Sequence, residues 1–258
     1  MENKKIFFTP CQPELVNEVD HASQPLPASK FVPDWFVKMD RFAKNPITDE
    51  YVKAPKGMCP MPKEGTTDDY GRIPTWKACP ALLDVFVSGY MLRTPCDIKF
   101  EIKNNKIDGE VLDPKFSRFL QKREVMPGFP QPEGFYQNHF AWFGNWEILV
   151  PAGYSVLYTH PMNRFDLPFH SVSGFIDTDK VSMPGSFPFF IKRGWEGIIP
   201  AGTPYAQLIP FLRENWESTI NKTTAPEIYM KIHGNMAKFR KPDGGVYARD
   251  VWEVRKYT

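Results

Sequence analysis

His160, Asp166 and His170 lie within the stretch THPMNRFDLPFH, with His139 upstream. Imidazole nitrogens and carboxylate oxygens are donors for zinc and for first-row transition metals. Two histidines ten residues apart with a carboxylate between them could form part of a metal site with open positions. Such a site would suit a cupin-like barrel, a double-sheet β fold. The cupin pattern, however, wants His-x-His followed by Glu, and the oxygenase pattern wants His-x-Asp. Neither occurs here. The plainer reading makes His160 a hydrogen-bonded loop residue and His170 the start of a strand.

The four cysteines (Cys11, Cys59, Cys79 and Cys96) form no CxxC pair, which argues against a zinc knuckle and for reduced, mostly buried thiols.

The elements that would carry these residues read as strands. The chain has 258 residues, of which 42% are hydrophobic and 15% aromatic, enough for a sizeable core. Its 26 prolines favour short strands and ordered loops, because proline breaks helix interiors and cannot donate to a ladder. Residues 4–9 form a first strand. Residues 1–77 form a Pro-rich arm, with a short helix possible around 31–42 and aromatics at Phe31, Trp35, Phe36 and Phe42 that would pack on a partner surface or, more plainly, on the chain's own core. Residues 78–87 fit either a helical turn or a buried strand. The alternating stretch Asp97 to Lys103 then turns at Asn104-Asn105 and pairs back through Ile107 to Leu112. After an insertion at 113–137, strands follow at 139–150, 153–159, 171–177, 187–192, 195–199 and 205–212. The all-β domain thus spans 78–212, and 213–258 is a C-terminal extension with one amphipathic stretch from Ala225 to Phe239.

Charge and hydropathy narrow the functional classes. Net charge is +2, from 32 basic and 30 acidic residues, with no basic stripe that would indicate nucleic-acid binding. No apolar run approaches the roughly 20 residues of a membrane span. The start MENKKIFFTP lacks the apolar core of a signal peptide, so a cytoplasmic setting is expected, either host cytoplasm or virion if the protein is phage-encoded.

Four segments, in order, resemble the motifs of the trimeric dUTPase/dCTP-deaminase (β-clip) superfamily. They are SGYMLRTPCDIKFEI at 88–102, VPAGYSVLYTHPMNR at 150–164, SGFIDTD at 173–179 and PAGTPYAQLIPF at 200–211. Position 161, where the family arginine falls, is 16 residues before Asp177, and Asp177 is 30 before Gln207, gaps that fit the family's hairpins. The resemblance implies a dUTPase-like β-sandwich or barrel and a homotrimer. It also implies a cleft bordered by Asp177 and Gln207, with His160 or Arg164 at its rim. The whole chain is also similar to a family of bacteriophage and bacterial proteins that has no assigned mechanism.

The resemblance also marks departures. Met91 stands where the family carries a Mg²⁺-binding carboxylate, and a thioether does not bind Mg²⁺. Asp97 is a possible substitute. The Arg-Ser-Ser motif has become Pro161-Met162-Asn163, with Arg164 shifted. Asp177 matches the water-orienting carboxylate and Gln207 the phosphate-contacting amide. The segment PDGGVYARD at 242–250 is similar to the family's Gly-rich flap, which would put Tyr247 over a nucleotide. The catalytic glutamate of the deaminase branch has no motif-fixed counterpart, although Glu196 lies in a strand.

Three functions follow. The first is a non-catalytic oligomeric scaffold or binding protein, with arm and tail as surfaces for other subunits and a role in phage assembly. The second is a nucleotide hydrolase using Mg²⁺, rebuilt on Asp97, Arg164, Asp177 and Gln207. The third is a cupin-like metal protein. The first is favoured, because phosphoanhydride cleavage depends on positioning and charge neutralisation that the lost groups would supply.

Overall fold

In a computed structural model of the chain, residues 4–12, 21–52, 72–123, 125, 128, 132–181, 183–220, 225–239 and 250–258 are described. They are mostly β, in several antiparallel sheets with few helices, and no closed barrel forms among them. The strands are β1 (Phe7–Pro10), β2 (Leu26–Pro27), β3 (Tyr90–Arg93), β4 (Ile98–Lys103), β5 (Lys106–Val111), β6 (Leu120–Arg123) and β7 (His139–Phe143). They continue as β8 (Trp146–Leu149), β9 (Tyr154–Thr159), β10 (Phe169–Ser171), β11 (Gly174–Ile176), β12 (Ser186–Ile191), β13 (Gly197–Ile199) and β14 (Pro204–Leu212).

The chain divides into two compact units. The first contains residues 1–31, 88–214 and 257–258 and holds every strand named above. Its largest sheet runs β11-β9-β14-β3-β2. A second runs β10-β12-β7-β6, and the pair β1-β8 and the trio β13-β4-β5 complete it. The first two sheets share one core. Val156 and Tyr158 of β9 and Ala206 and Leu208 of β14 join Phe140 and Trp142 of β7 and Phe187 and Phe189 of β12. Trp142 stacks on Phe189 with ring centroids 3.6 Å apart. The Ser171 hydroxyl accepts from Trp142 Nε1 at 3.2 Å and donates to Tyr205 O at 2.6 Å, so these three buried polar groups are paired.

Local chemistry accounts for the turns. Asn104 and Asn105 adopt φ of 50° and 60°, the left-handed pair of a tight hairpin turn, and β4 and β5 pair from Ile98↔Val111 to Lys103↔Lys106. Gly89, at φ 76°, precedes β3. A Cβ there would sit 1.8 Å from the carbonyl oxygen of Leu208, so only glycine lets β3 and β14 approach.

Two stretches depart from the sequence reading. The 113–137 insertion is not simply a loop. It supplies β6 to a sheet and buries Phe116, Phe119 and Tyr136 in the core. In β14, strict alternation would set Tyr205 and Gln207 on one face. A register shift between Pro204 and Ala206 instead brings Tyr205 into the core cluster with Ala206 and Leu208. A bulge adds one residue to a strand and resets which way the side chains point.

The second unit contains residues 32–87 and 215–256. It carries the helices α1 (Asp34–Lys38), α2 (Pro80–Val87) and α3 (Ala225–Phe239). Within the 78–87 stretch a helix thus forms over Pro80–Val87, which proline can open because its missing N–H falls where no helical bond is due. Phe36 and Phe86 pack with centroids 4.8 Å apart, and Asp84 accepts from Trp252 Nε1 at 3.0 Å and Arg255 Nη1 at 2.9 Å. Among the described residues no helix is long and apolar enough to cross a membrane.

Candidate functional site

Of the residues singled out by the motifs, Gln207 lies on β14, which pairs with β9 and β3. Gln207 lies opposite Thr159 on β9 and Met91 on β3. It is fully buried. Its Nε2 donates to Ser88 O at 2.7 Å, and its Oε1 accepts from Met162 N at 2.9 Å. The amide therefore satisfies backbone groups of two connecting segments, and no ligand can reach it without displacing them. Met91 is also buried.

Asp177 lies at the other end of the same strand pair. Its Oδ1 accepts from the Ser155 hydroxyl at 2.6 Å and from Arg213 Nη1 at 3.2 Å, while Lys180 Nζ stands 3.7 Å from Oδ2. Ser155 is opposite Phe211, whereas Thr159 is opposite Gln207. Four residues of strand span roughly 13 Å. Asp177 and Gln207 thus lie towards opposite ends of the β9–β14 pairing.

Around Asp177 the charges close on one another. Arg213 holds Asp179 through both of its Nη atoms, and Gly153 N donates to the same carboxylate at 2.9 Å. Arg213 Nη1 also donates to Tyr154 O at 2.8 Å. The Arg213 hydrogen bonds hold the Asp179 carboxyl well below the ordinary range, and the Ser155 hydroxyl lowers that of Asp177, aided by the Arg213 and Lys180 charges. Both carboxylates are ionised at neutral pH and fully committed. Arg213 and Asp179 went unnoticed in the motifs. The signal was present, since Gln207, Ile209, Phe211 and Arg213 fall on alternate positions of one strand and its extension.

The loop after β9 holds His160 and Arg164. Ser171 N donates to His160 Nδ1 at 3.3 Å, so Nε2 carries the proton and donates to Arg164 O at 3.2 Å. Burial, reinforced by the charges of His170, Lys192 and Arg164, pushes His160 down to about 4. His170 is close, with ring centroids 4.6 Å apart, but Asp166 spends both oxygens on Arg164, at 2.8 Å to Nε and 2.7 Å to Nη2. The expected His160, Asp166 and His170 ligand set therefore does not assemble. Among the described residues no group of three His, Cys, Asp or Glu side chains is arranged to hold a metal. His139 is buried in β7, opposite Arg123.

Arg164 also donates to Phe31 O at 3.3 Å and lines a cleft of about 400 Å³ with Asp166, Lys192, Trp195, Ile198 and Thr203. Neither Asp177, Gln207 nor His160 reaches this cleft. Asp97 is exposed, and its Oδ1 accepts from Ala201 N at 2.8 Å, pinning the turn before β14. The residues present do not fit the Mg²⁺ of a dUTPase-like site. The expected carboxylate is a buried Met91, and the nearest substitute in sequence is tied to a turn. Tyr247 and its Gly-rich segment lie outside the described residues.

No protein-family model matches the chain, and no curated protein matches it.

Proposed function

We propose that this protein is a non-catalytic scaffold or binding protein, built on a dUTPase-like sandwich and working as a homotrimer in a phage-associated assembly. The observation that carries the reading is the state of Gln207. An amide that contacts phosphate must face solvent, and this one is buried and holds two backbone segments together. Asp177 and Arg164 fit the same picture, each bound to side chains of this chain. A nucleotide hydrolase needs free charge converging on one phosphate chain, and the retained residues are dispersed.

Exposed aromatic side chains support an assembling role. Phe175 on the edge strand β11 is 71% exposed and contacts Phe211, with ring centroids 5.2 Å apart. Phe165 is 70% exposed. Large apolar groups on an edge strand favour association over solvation. Residues of the arm already serve the β unit. Leu26 pairs with Met91, and Arg93 Nε donates to Gln24 O at 2.8 Å.

Two measurements test the reading. Light scattering at micromolar concentration is expected to give three times the 29.8 kDa chain mass, and a monomer would overturn the trimer. Thermal-shift screening with each deoxynucleoside triphosphate plus Mg²⁺ is expected to give no base-selective, Mg²⁺-dependent stabilisation. A shift of about 2.7 kcal/mol at 100 times the dissociation constant would be visible. If one nucleotide gives such a shift, and Asp177→Asn abolishes it, the protein is an enzyme of this superfamily after all.

A further inference from the structure

The charges on the β4–β5 hairpin are mostly spent on one another. Glu101 pairs with Lys99 and, at 3.2 Å, with Lys103. Asp108 pairs with Lys103 at 3.6 Å and with Lys122 at 2.5 Å. Beside this ladder three cations stand apart. Lys106, Arg123 and Arg193 make no ion pair among the described residues. They come from different elements: Lys106 opens β5, Arg123 closes β6, and Arg193 lies between β12 and β13.

All three line one cavity of about 820 Å³. Small-molecule sites commonly enclose roughly 300–1,000 Å³. Among the described residues no carboxylate lines this one, and amides such as Asn104 and Asn105 supply much of its remaining polar wall. Two of the cations are held in place. Arg123 Nη2 donates to Ser186 Oγ at 3.0 Å and Gln121 Oε1 at 3.2 Å, and Arg193 Nη2 donates to Phe135 O at 3.4 Å. Tyr136, in the same wall, is only 6% exposed. Its hydroxyl accepts from Gly194 N at 3.1 Å, which ties the wall to the turn bearing Arg193.

Keeping these charges costs the fold something. Lys106 is directly opposite Lys103 in the ladder, and like charges in that position repel. Arg123 is opposite the buried His139, whose ring is held neutral by burial and further by the Arg123 charge. The hairpin turn itself requires only the two asparagines.

We infer that this cavity binds a small molecule carrying a polyphosphate group. One phosphate or carboxylate would meet one or two of the cations, whereas a di- or triphosphate spreads charge over the span of all three. The amides then suit a neutral, hydrogen-bonding remainder of the ligand. The site shares no residue with the Arg164 cleft or with the Asp177 cluster.

The test is calorimetric titration of the full chain with inorganic tripolyphosphate, without divalent cations. Saturable binding at one site per chain is expected, weakening as salt rises. Lys106→Gln with Arg193→Gln should weaken it at least about tenfold, since hydrogen bonds to charged groups are lost. Both positions are exposed, so the fold should survive. The charge-keeping pair Lys106→Arg with Arg193→Lys, and separately Asp177→Asn, should bind as the wild type does. No binding at millimolar tripolyphosphate would overturn the inference, as would unchanged binding by the glutamine pair. Tighter binding of hexaglutamate than of tripolyphosphate would overturn it in favour of an acidic protein partner.

Discussion

Arg213 and the trio of Lys106, Arg123 and Arg193 are cations of the same unit in opposite circumstances. Arg213 meets two carboxylates, a serine environment and a backbone carbonyl, and every charge around it is answered within the chain. The trio lines a cavity that no carboxylate among the described residues enters. A closed cluster stabilises the fold and has nothing left to offer a ligand. An open one costs stability and remains available. The difference separates structural charge from binding charge without reference to any motif, and it runs against the motif reading, which pointed to Asp177 and Gln207.

The comparison can be sharpened by perturbation. The largest effect is expected at Gln207. Gln207→Ala leaves the Ser88 carbonyl and the Met162 N–H unpaired in a buried place, a loss of about 2–5 kcal/mol measured by urea unfolding. Tripolyphosphate binding should be unchanged in the folded fraction. An effect under about 1 kcal/mol would mean that water replaces the amide and that the strand end is open.

His160 should rank next. Its folded value of about 4 lies below the ordinary 6.5, so the unfolded chain takes up its proton first as pH falls. Stability is therefore fully present above pH 6.5 and declines from there to about pH 4. The loss is on the order of 3 kcal/mol. His170 and His139, also lowered by burial, act in the same direction. His160→Gln should flatten this limb in denaturation series from pH 7 to pH 4. A slope that persists would reassign it to the other two histidines.

At Arg213 the sign is worked from the carboxylates. Asp177 and Asp179 both titrate below their ordinary 3.8, so their contribution is present above that value and is lost as pH falls through the depressed folded values. Arg213→Gln should lower the melting temperature at pH 7 and by less near pH 2. Equal losses at both pH values would mean that packing, not charge, is what Arg213 supplies. The smallest effect belongs to the cavity. Lys106→Gln with Arg193→Gln should change stability by no more than about 0.5 kcal/mol. Any change should be upward, because the repulsion between Lys103 and Lys106 is relieved.

What could be read directly from the sequence was whatever depends on near neighbours. The alternation from Ile98 to Lys103, the Asn104-Asn105 turn and the amphipathic stretch Ala225–Phe239 each depend on a handful of adjacent residues, and the elements appear there. The low helix content followed from proline, whose effect is also local. Tertiary structure alone decided the rest. The bulge that turns Tyr205 inward arises from pairing with β3, and β6 exists as a strand only because β7 lies beside it. Whether Asp177 and Gln207 share a cleft depends on register between β9 and β14. Whether a lysine or arginine is answered by a carboxylate depends on residues such as Arg213 and Asp179, 34 positions apart in the chain. Charge interactions fall off over a few ångströms, and which charges come that close is a property of the folded chain, not of the order of its residues.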